Sequence, residues 1–196
     1  YTQLKLNKSI LIFLKDIETK TKHFIQFEDS DYYAVVNTLK TNIVYYPGDK
    51  ERLLKLSEKI LCRYRGKKVG YSAYHGDFTP WNSFFDKKGE CYAFDFEYAL
   101  RSCPPMLDAF HWIISVSWFK KHYNAKKIVK ELRRYKVLLK KYILNIEECF
   151  SLYLLYYVTF YLKRDGRDLA GKNLENVMIC SKLLEYYSIQ AKKTLQ

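Results

Sequence analysis

The stretch that decides the fold is HGDFTPWN at residues 75–82, which is followed after twelve residues by DFE at residues 95–97. Asp77, Asn82 and Asp95 are three polar residues that can close around one nucleotide. Asp77 can orient or deprotonate a hydroxyl group, and the other two are hard oxygen donors that suit Mg²⁺ on a triphosphate. The spacing therefore indicates phosphoryl-transfer chemistry.

These residues resemble the kinase-like superfamily that includes aminoglycoside phosphotransferases and choline or ethanolamine kinases. In that family the catalytic loop reads H-G/N-D-x-x-x-x-N and the metal motif reads D-[FWY]-E, and PPMLDAFHWI at residues 104–113 extends the likeness. The match covers roughly residues 70–115. The resemblance implies the C-terminal lobe of a protein-kinase-like fold, which is α+β and mostly helical, with a small β-hairpin that carries the catalytic and metal loops.

The resemblance also implies a role for each polar residue of the motif. Asp77 would be the catalytic base or the group that aligns the acceptor hydroxyl, and Asn82 and Asp95 would bind Mg²⁺ on ATP. His75 would pack beneath the metal loop, and Asp108 would brace the catalytic loop by accepting backbone hydrogen bonds.

Glu97 takes the place of the glycine in the protein-kinase DFG motif. Its carboxylate either lies near metal or substrate, as the family permits, or faces solvent or a salt-bridge partner. Trp112 and Trp118 are expected to be core residues, with an aromatic box for a cationic amine as the alternative. His23, His111 and His122 show no spacing that suggests a ligand set.

A hairpin explains why Asn82 and Asp95 are thirteen residues apart. Residues 83–85 and 91–94 read as short strands that are joined by the turn Asp86-Lys87-Lys88-Gly89. Because each ligand stands at the outer end of its strand, a tight turn brings the two side by side.

The rest of the pattern is mostly helical. We expect a helix over residues 3–20, mixed structure over 23–47 and a helix that starts with Asp49 as N-cap and runs to about Tyr64. A strand over 69–74 leads into the catalytic loop, and four helices follow near 106–121, 125–142, 146–163 and 172–192. The apolar run 149–162 is too short for a comfortable membrane span and favours a buried helix.

The N-terminal lobe of a complete kinase has no counterpart in this sequence. No GxGxxG precedes Asp77, and no strand Lys paired with a helix Glu is evident. Some seventy residues before the loop are too few for that lobe. We therefore expect residues 1–196 to form a single domain, the C-terminal lobe of a longer protein.

The net charge of +13 is concentrated in residues 120–141, which hold ten Lys or Arg against one acid, Glu131, for a local charge of +9. Apolar residues at helical spacing predict an amphipathic helix with a basic outer face. That face is either a solvated surface or a contact for an anionic glycan, acidic lipid or polyanionic substrate through Lys126, Lys127, Arg133 and Arg134. No nucleic-acid motif is present.

Composition favours a globular protein with reduced, scattered cysteines, which is typical of the cytoplasm, with a peripheral membrane association left open. The first hypothesis is an ATP- and Mg²⁺-dependent kinase that phosphorylates a hydroxyl of a sugar, amino alcohol, aminoglycoside or glycan precursor. The alternative is a catalytically weak or inactive kinase-like module that binds an anionic partner through helix 120–141.

Overall fold

The computed structural model describes residues 4–121 and 124–193. Its helices are α1 (Lys8–Thr21), α2 (Asp31–Val36), α3 (Leu39–Asn42), α4 (Lys50–Leu61), α5 (Leu107–Lys121), α6 (Ala125–Leu139), α7 (Ile146–Asp165) and α8 (Gly171–Lys193). Its strands are β1 (His23–Gln26), β2 (Lys68–Tyr74), β3 (Ser83–Phe85), β4 (Cys91–Ala93) and β5 (Leu100–Cys103). The fold is α+β and mostly helical, as the sequence predicts.

The contacts group the chain into two compact units, one formed by residues 1–24 and 70–149 and the other by residues 25–69 and 150–196. The first unit contains the whole predicted site. The prediction of a single domain over 1–196 stays a prediction.

The core of the first unit is built around Phe78, which is fully buried directly after Asp77. The Phe78 ring stacks on Phe13 of α1 at 5.6 Å and lies 5.2 Å from the ring of Trp112 in α5. Trp112 is 1% exposed, which confirms it as a core residue. Burying side chains of this size stabilises a fold by about 1.5–3 kcal/mol each, so the core holds the loop firmly.

The predicted hairpin is present, with β3 and β4 paired antiparallel and Phe84 opposite Tyr92. One step further out, the N–H of Phe94 donates to the carbonyl of Asn82 at 3.1 Å. The hairpin therefore places Asn82 directly across from the residue before Asp95.

A second, three-stranded sheet has the order β1-β2-β5. β5 runs antiparallel to β2, and Tyr74 at the end of β2 pairs with Leu100. This sheet delivers the chain from β2 into the loop at residue 75 and from β5 into α5.

The second unit joins α2, α3 and α4 to α8 and most of α7 by buried polar contacts. The Tyr32 hydroxyl donates to the carbonyl of Leu152 at 3.0 Å, and the Tyr46 hydroxyl donates to Ser181 Oγ at 2.7 Å. α7 carries the apolar run 149–162 as a largely buried helix. Among the described residues no helix is long and apolar enough to cross a membrane.

Several boundaries differ from the sequence predictions. α1 begins at Lys8 and not at residue 3, because Asn7 has an extended backbone and its side chain caps the helix by accepting from the Ile10 N–H at 3.0 Å. α4 has the predicted Asp49 cap but ends at Leu61, and α6 ends at Leu139. The strands β1 and β5 and the short helices α2 and α3 were not predicted.

Candidate active site

The predicted catalytic loop leaves β2 through a backbone conformation that requires glycine. Gly76 has φ +87°, and a Cβ built there would lie 2.3 Å from the carbonyl oxygen of Tyr98. An L side chain at this position would be strained by the positive φ and would also clash with the backbone. Gly76 therefore lets the chain turn sharply just before Asp77.

The carboxylate of Asp77 is held by one donor on each oxygen. Its Oδ2 accepts from Asn82 Nδ2 at 2.8 Å, and its Oδ1 lies 3.0 Å from His111 Nε2. The Asp77 side chain remains 33% exposed, whereas that of His111 is 8% exposed. Asp77 is thus fixed in orientation and still open to a ligand.

His111 is the site residue that sequence reasoning missed. The spacing of His23, His111 and His122 suggests no ligand set, and Asp77 is 34 residues away from His111 in the chain. A usable signal existed, since His111 follows Asp108 by three residues and therefore shares a face of α5 with it.

Asn82 Nδ2 also donates to the Asp77 carbonyl at 3.0 Å. Since both bonds use the amide nitrogen, the amide oxygen of Asn82 points away from Asp77. A neutral oxygen that faces away from its own carboxylate neighbour is a suitable ligand for a hard cation.

Asp108 braces the loop from α5, in the arrangement that the resemblance predicts. It is buried, and its two oxygens accept from the backbone N–H groups of His75 at 2.9 Å and Gly76 at 3.3 Å. Burial raises the pKa of Asp108 to about 6, although these hydrogen bonds and the nearby His111 pull the pKa down. At neutral pH Asp108 is therefore mainly a buried carboxylate that holds two consecutive amides.

His75 lies beneath the segment that leads to Asp95. Its Nε2 donates to the carbonyl of Phe94 at 3.0 Å, and its ring lies 4.4 Å from the ring of Phe96. Burial lowers the pKa of His75, so the ring is neutral at pH 7 and the Nε2–H tautomer fits its partner. His75 thus ties the predicted metal motif to the predicted catalytic loop.

Asp95 follows β4 in the left-handed region, with φ +67°, and is exposed. Aspartate tolerates this conformation better than most residues, but it is uncommon outside glycine and is often found at functional sites. Glu97 is exposed in the turn that follows. The contacts described for Glu97 do not decide between a role near metal or substrate and a position in solvent.

The residues present fit a magnesium ion that is shared with phosphate. Within the described ranges, no three His, Cys, Asp or Glu side chains could hold a metal ion between them. Magnesium bound to a nucleotide needs only one or two protein oxygens, since phosphate and water supply the others. Asn82 and Asp95, which the hairpin brings to neighbouring strand ends, can supply such a pair.

The hairpin carries exposed aromatic rings on the same face as Asn82. Phe84 is 51% exposed, Tyr92 is 41% exposed and Phe94 is 45% exposed. The Phe84 ring stacks on Tyr92 at 5.0 Å with an angle of 9° between the rings, and it lies 6.4 Å from Phe94. These three residues, which we call the aromatic face, form an exposed apolar cluster on the hairpin that carries the predicted metal ligands.

A cavity of about 150 Å³ lies between α5 and α6. Trp112 and Tyr135 are among its lining residues, together with the buried Glu131, which pairs with Arg134 at 2.8 Å. Trp112 also contacts Phe78, so the cavity wall is one side chain away from the catalytic loop. The lining also includes the apolar Leu4, Ile113 and Val116, and it comes from α5, α6 and residues 4–5 rather than from the loop 75–82.

The predicted basic helix is α6, and the four basic residues proposed as contacts are all exposed on it. Its buried residues include Ile128, Leu132 and Leu139. Arg134 pairs with Glu131, and Lys126, Lys127 and Arg133 are exposed along the helix.

No protein-family model, curated protein or solved structure matches this chain. The assignment of function therefore depends on the geometry of the site.

Proposed function

We propose that the chain is the catalytic lobe of an ATP- and Mg²⁺-dependent kinase of the kinase-like superfamily that it resembles, acting on a hydroxyl group of a small molecule. The observation that carries this proposal is the polar group around Asp77, in which Asn82 and His111 hold an exposed carboxylate while Asp108 grips the two preceding amides.

Asp77 would accept a hydrogen bond from the acceptor hydroxyl and turn its oxygen toward the phosphoryl group. Its exposed third is the part available to the acceptor, since both oxygens already have one donor on their protected sides. Positioning of this kind accounts for much of the rate enhancement in phosphoryl transfer.

Asn82 and Asp95 would hold Mg²⁺ on the phosphates of ATP. When bound, the metal would neutralise charge on the transferred group. The contribution of the chain is to fix two oxygen ligands at the ends of paired strands, so that little reorganisation is needed when the nucleotide arrives.

The aromatic face supports the nucleotide assignment. A purine ring is flat and apolar on both sides, and stacking of a base on an aromatic side chain contributes about 1–3 kcal/mol. Phe84 lies on β3, which begins directly after Asn82, and Phe94 lies between β4 and Asp95, so a base stacked there would leave its phosphates near the metal ligands.

The net charge of +13 mildly disfavours a polycationic aminoglycoside.

Calorimetry with ATP, with and without Mg²⁺, tests the proposal in the full native protein. Asp95→Asn should weaken the binding that depends on Mg²⁺, because it removes the one charged ligand. Asp16→Asn is the matched control, since Asp16 is an exposed partner of Lys20 on α1. The proposal is wrong if neither wild type nor variant binds ATP.

A second candidate function is a kinase-like module that docks on an acidic membrane surface through α6. Lys126, Lys130, Arg133 and Val137 follow one another at helical spacing, and Val137 is 76% exposed among the charges. Leu144, just after the helix, is fully exposed. Exposed aliphatic groups within a basic surface fit a lipid interface better than a glycan, because a glycan would leave them in water.

Sedimentation with vesicles that contain phosphatidylserine tests this second function. Reversal of charge at Lys126, Lys127 and Arg133 together should release the protein, whereas reversal at the exposed Lys55, Lys88 and Lys172 changes net charge equally and should not. Equal effects of the two triple variants would contradict docking through α6 and would indicate that its basic side is an ordinary solvated surface.

A further inference from the structure

The side of α5 that faces the catalytic loop contacts three consecutive parts of it. Asp108 holds the amides of residues 75 and 76, His111 reaches the carboxylate of Asp77, and Trp112 packs against Phe78. Residues at i, i+3 and i+4 lie on one face of a helix, so one rigid element sets the loop backbone, the reactive side chain and the core residue behind it.

The two donors on Asp77 have different origins. Asn82 belongs to the same loop, only five residues away, and would move together with Asp77 if the loop shifted. His111 belongs to a helix of fifteen residues whose first turns are buried. The bond from His111 is therefore the contact that fixes the Asp77 side chain relative to the core of its unit.

A carboxylate with a donor on only one oxygen can still turn about its Cβ–Cγ bond. With a second donor on the other oxygen, rotation in either direction breaks a hydrogen bond. The 6% exposure of His111 means that water cannot readily replace it as the donor. The carboxylate of Asp77 is thus held in one orientation, and the lone pairs that accept no hydrogen bond from Asn82 or His111 point in fixed directions.

We propose that His111 is a positioning residue for phosphoryl transfer: its Nε2–H holds Asp77 Oδ1 so that the carboxylate meets the acceptor hydroxyl in a productive orientation. This inference rests on the proposed kinase function. His111 does not touch the acceptor or the phosphates in this role, and it acts only through Asp77.

The test uses two substitutions at residue 111. His111→Leu has a similar size and no donor, whereas His111→Gln keeps an N–H near the place of Nε2. Steady-state turnover of MgATP, with water or an identified acceptor, gives kcat and KM for each variant. We expect the leucine variant to lose about 10- to 100-fold in kcat with KM for ATP nearly unchanged, because misplacing a reacting group by about 1 Å has effects of this order. The glutamine variant should recover most of the loss.

His23→Leu is the matched control, since His23 bonds only to the nearby Thr21 carbonyl among the contacts described for it. If the leucine variant does not fold, His111→Asn replaces it, because the asparagine amide is too short to reach Oδ1. Wild-type kcat in the leucine variant, or an equal loss in the glutamine and asparagine variants, would overturn the role of His111 alone. A wild-type protein that neither binds nor turns over MgATP would overturn the proposed function and this inference together.

Discussion

Replacing Asp108 by asparagine should remove a large pH dependence from the stability of the protein. The side chain is 5% exposed, and burial raises its pKa from an ordinary 3.8 to about 6. Asparagine has nearly the same shape and can still accept one backbone N–H, but it does not ionise. The difference between the two proteins therefore isolates the ionisation of this one carboxyl.

The magnitude follows from the shift in pKa. A rise of about two pH units, at 1.36 kcal/mol per unit, corresponds to about 3 kcal/mol. Because the folded-state pKa is the higher one, the folded protein binds the proton more tightly than the unfolded chain. The stability that Asp108 contributes is therefore fully present below pH 3.8 and is lost as the pH rises through about 6.

Urea unfolding followed by circular dichroism, at several pH values from 4 to 7.5, measures the effect. The free energy of unfolding of wild type, minus that of Asp108→Asn, should fall by about 2.5 kcal/mol across this range, because part of the total is already lost at pH 4. Asp16→Asn serves as the control, because its exposed carboxylate should give a difference that hardly varies with pH. A wild-type minus Asp108→Asn difference that stays constant, or that rises with pH, would refute the reasoning.

Three further substitutions test the fold around and away from the site. Gly76→Ala should lower the melting temperature and MgATP turnover together, because its Cβ would meet the Tyr98 carbonyl at a positive φ; an unchanged melting temperature would contradict this geometry. Tyr46→Phe should reduce the free energy of unfolding by about 1 kcal/mol in urea titrations, because it deletes the buried hydrogen bond to Ser181 Oγ. The cost stays small because Ser181 Oγ still donates to the carbonyl of Met178. Asp49→Ala should lower the same quantity by about 1 kcal/mol through loss of the α4 cap, and Asp49→Asn should not, so similar values for both would argue against the cap.

The elements that the sequence predicted correctly are those with local signals. The α4 cap is one side chain that bonds three residues ahead, and the hairpin follows from a four-residue turn between two short apolar runs. β5 could not be found this way, because its four residues pair with β2, which is not a neighbour in the chain and is not joined to β5 by a tight turn. The four- and six-residue helices α3 and α2 are too short to show a helical period.

The site shows the same division. The spacing within HGDFTPWN and DFE was enough to predict that Asn82 and Asp95 come to adjacent strand ends, because the hairpin between them is local. The contact of His111 with Asp77 depends on how α5 packs against the loop, which is a tertiary property. The left-handed conformation of Asp95 also lies outside what the residue type predicts.

The contacts that assemble the site are short-range in the chain, and this affects the order in which the protein can fold. The longest of the hydrogen bonds described for it joins Asp77 to His111 across 34 residues, whereas Tyr32 and Tyr46 in the second unit bond to residues 120 and 135 positions away. The entropy of loop closure grows with the logarithm of loop length, so each of those long contacts costs about 1 kcal/mol more to close. The loop, the hairpin and α5 can therefore come together on a growing or refolding chain before the second unit closes, since their formation does not wait for the C-terminal helix.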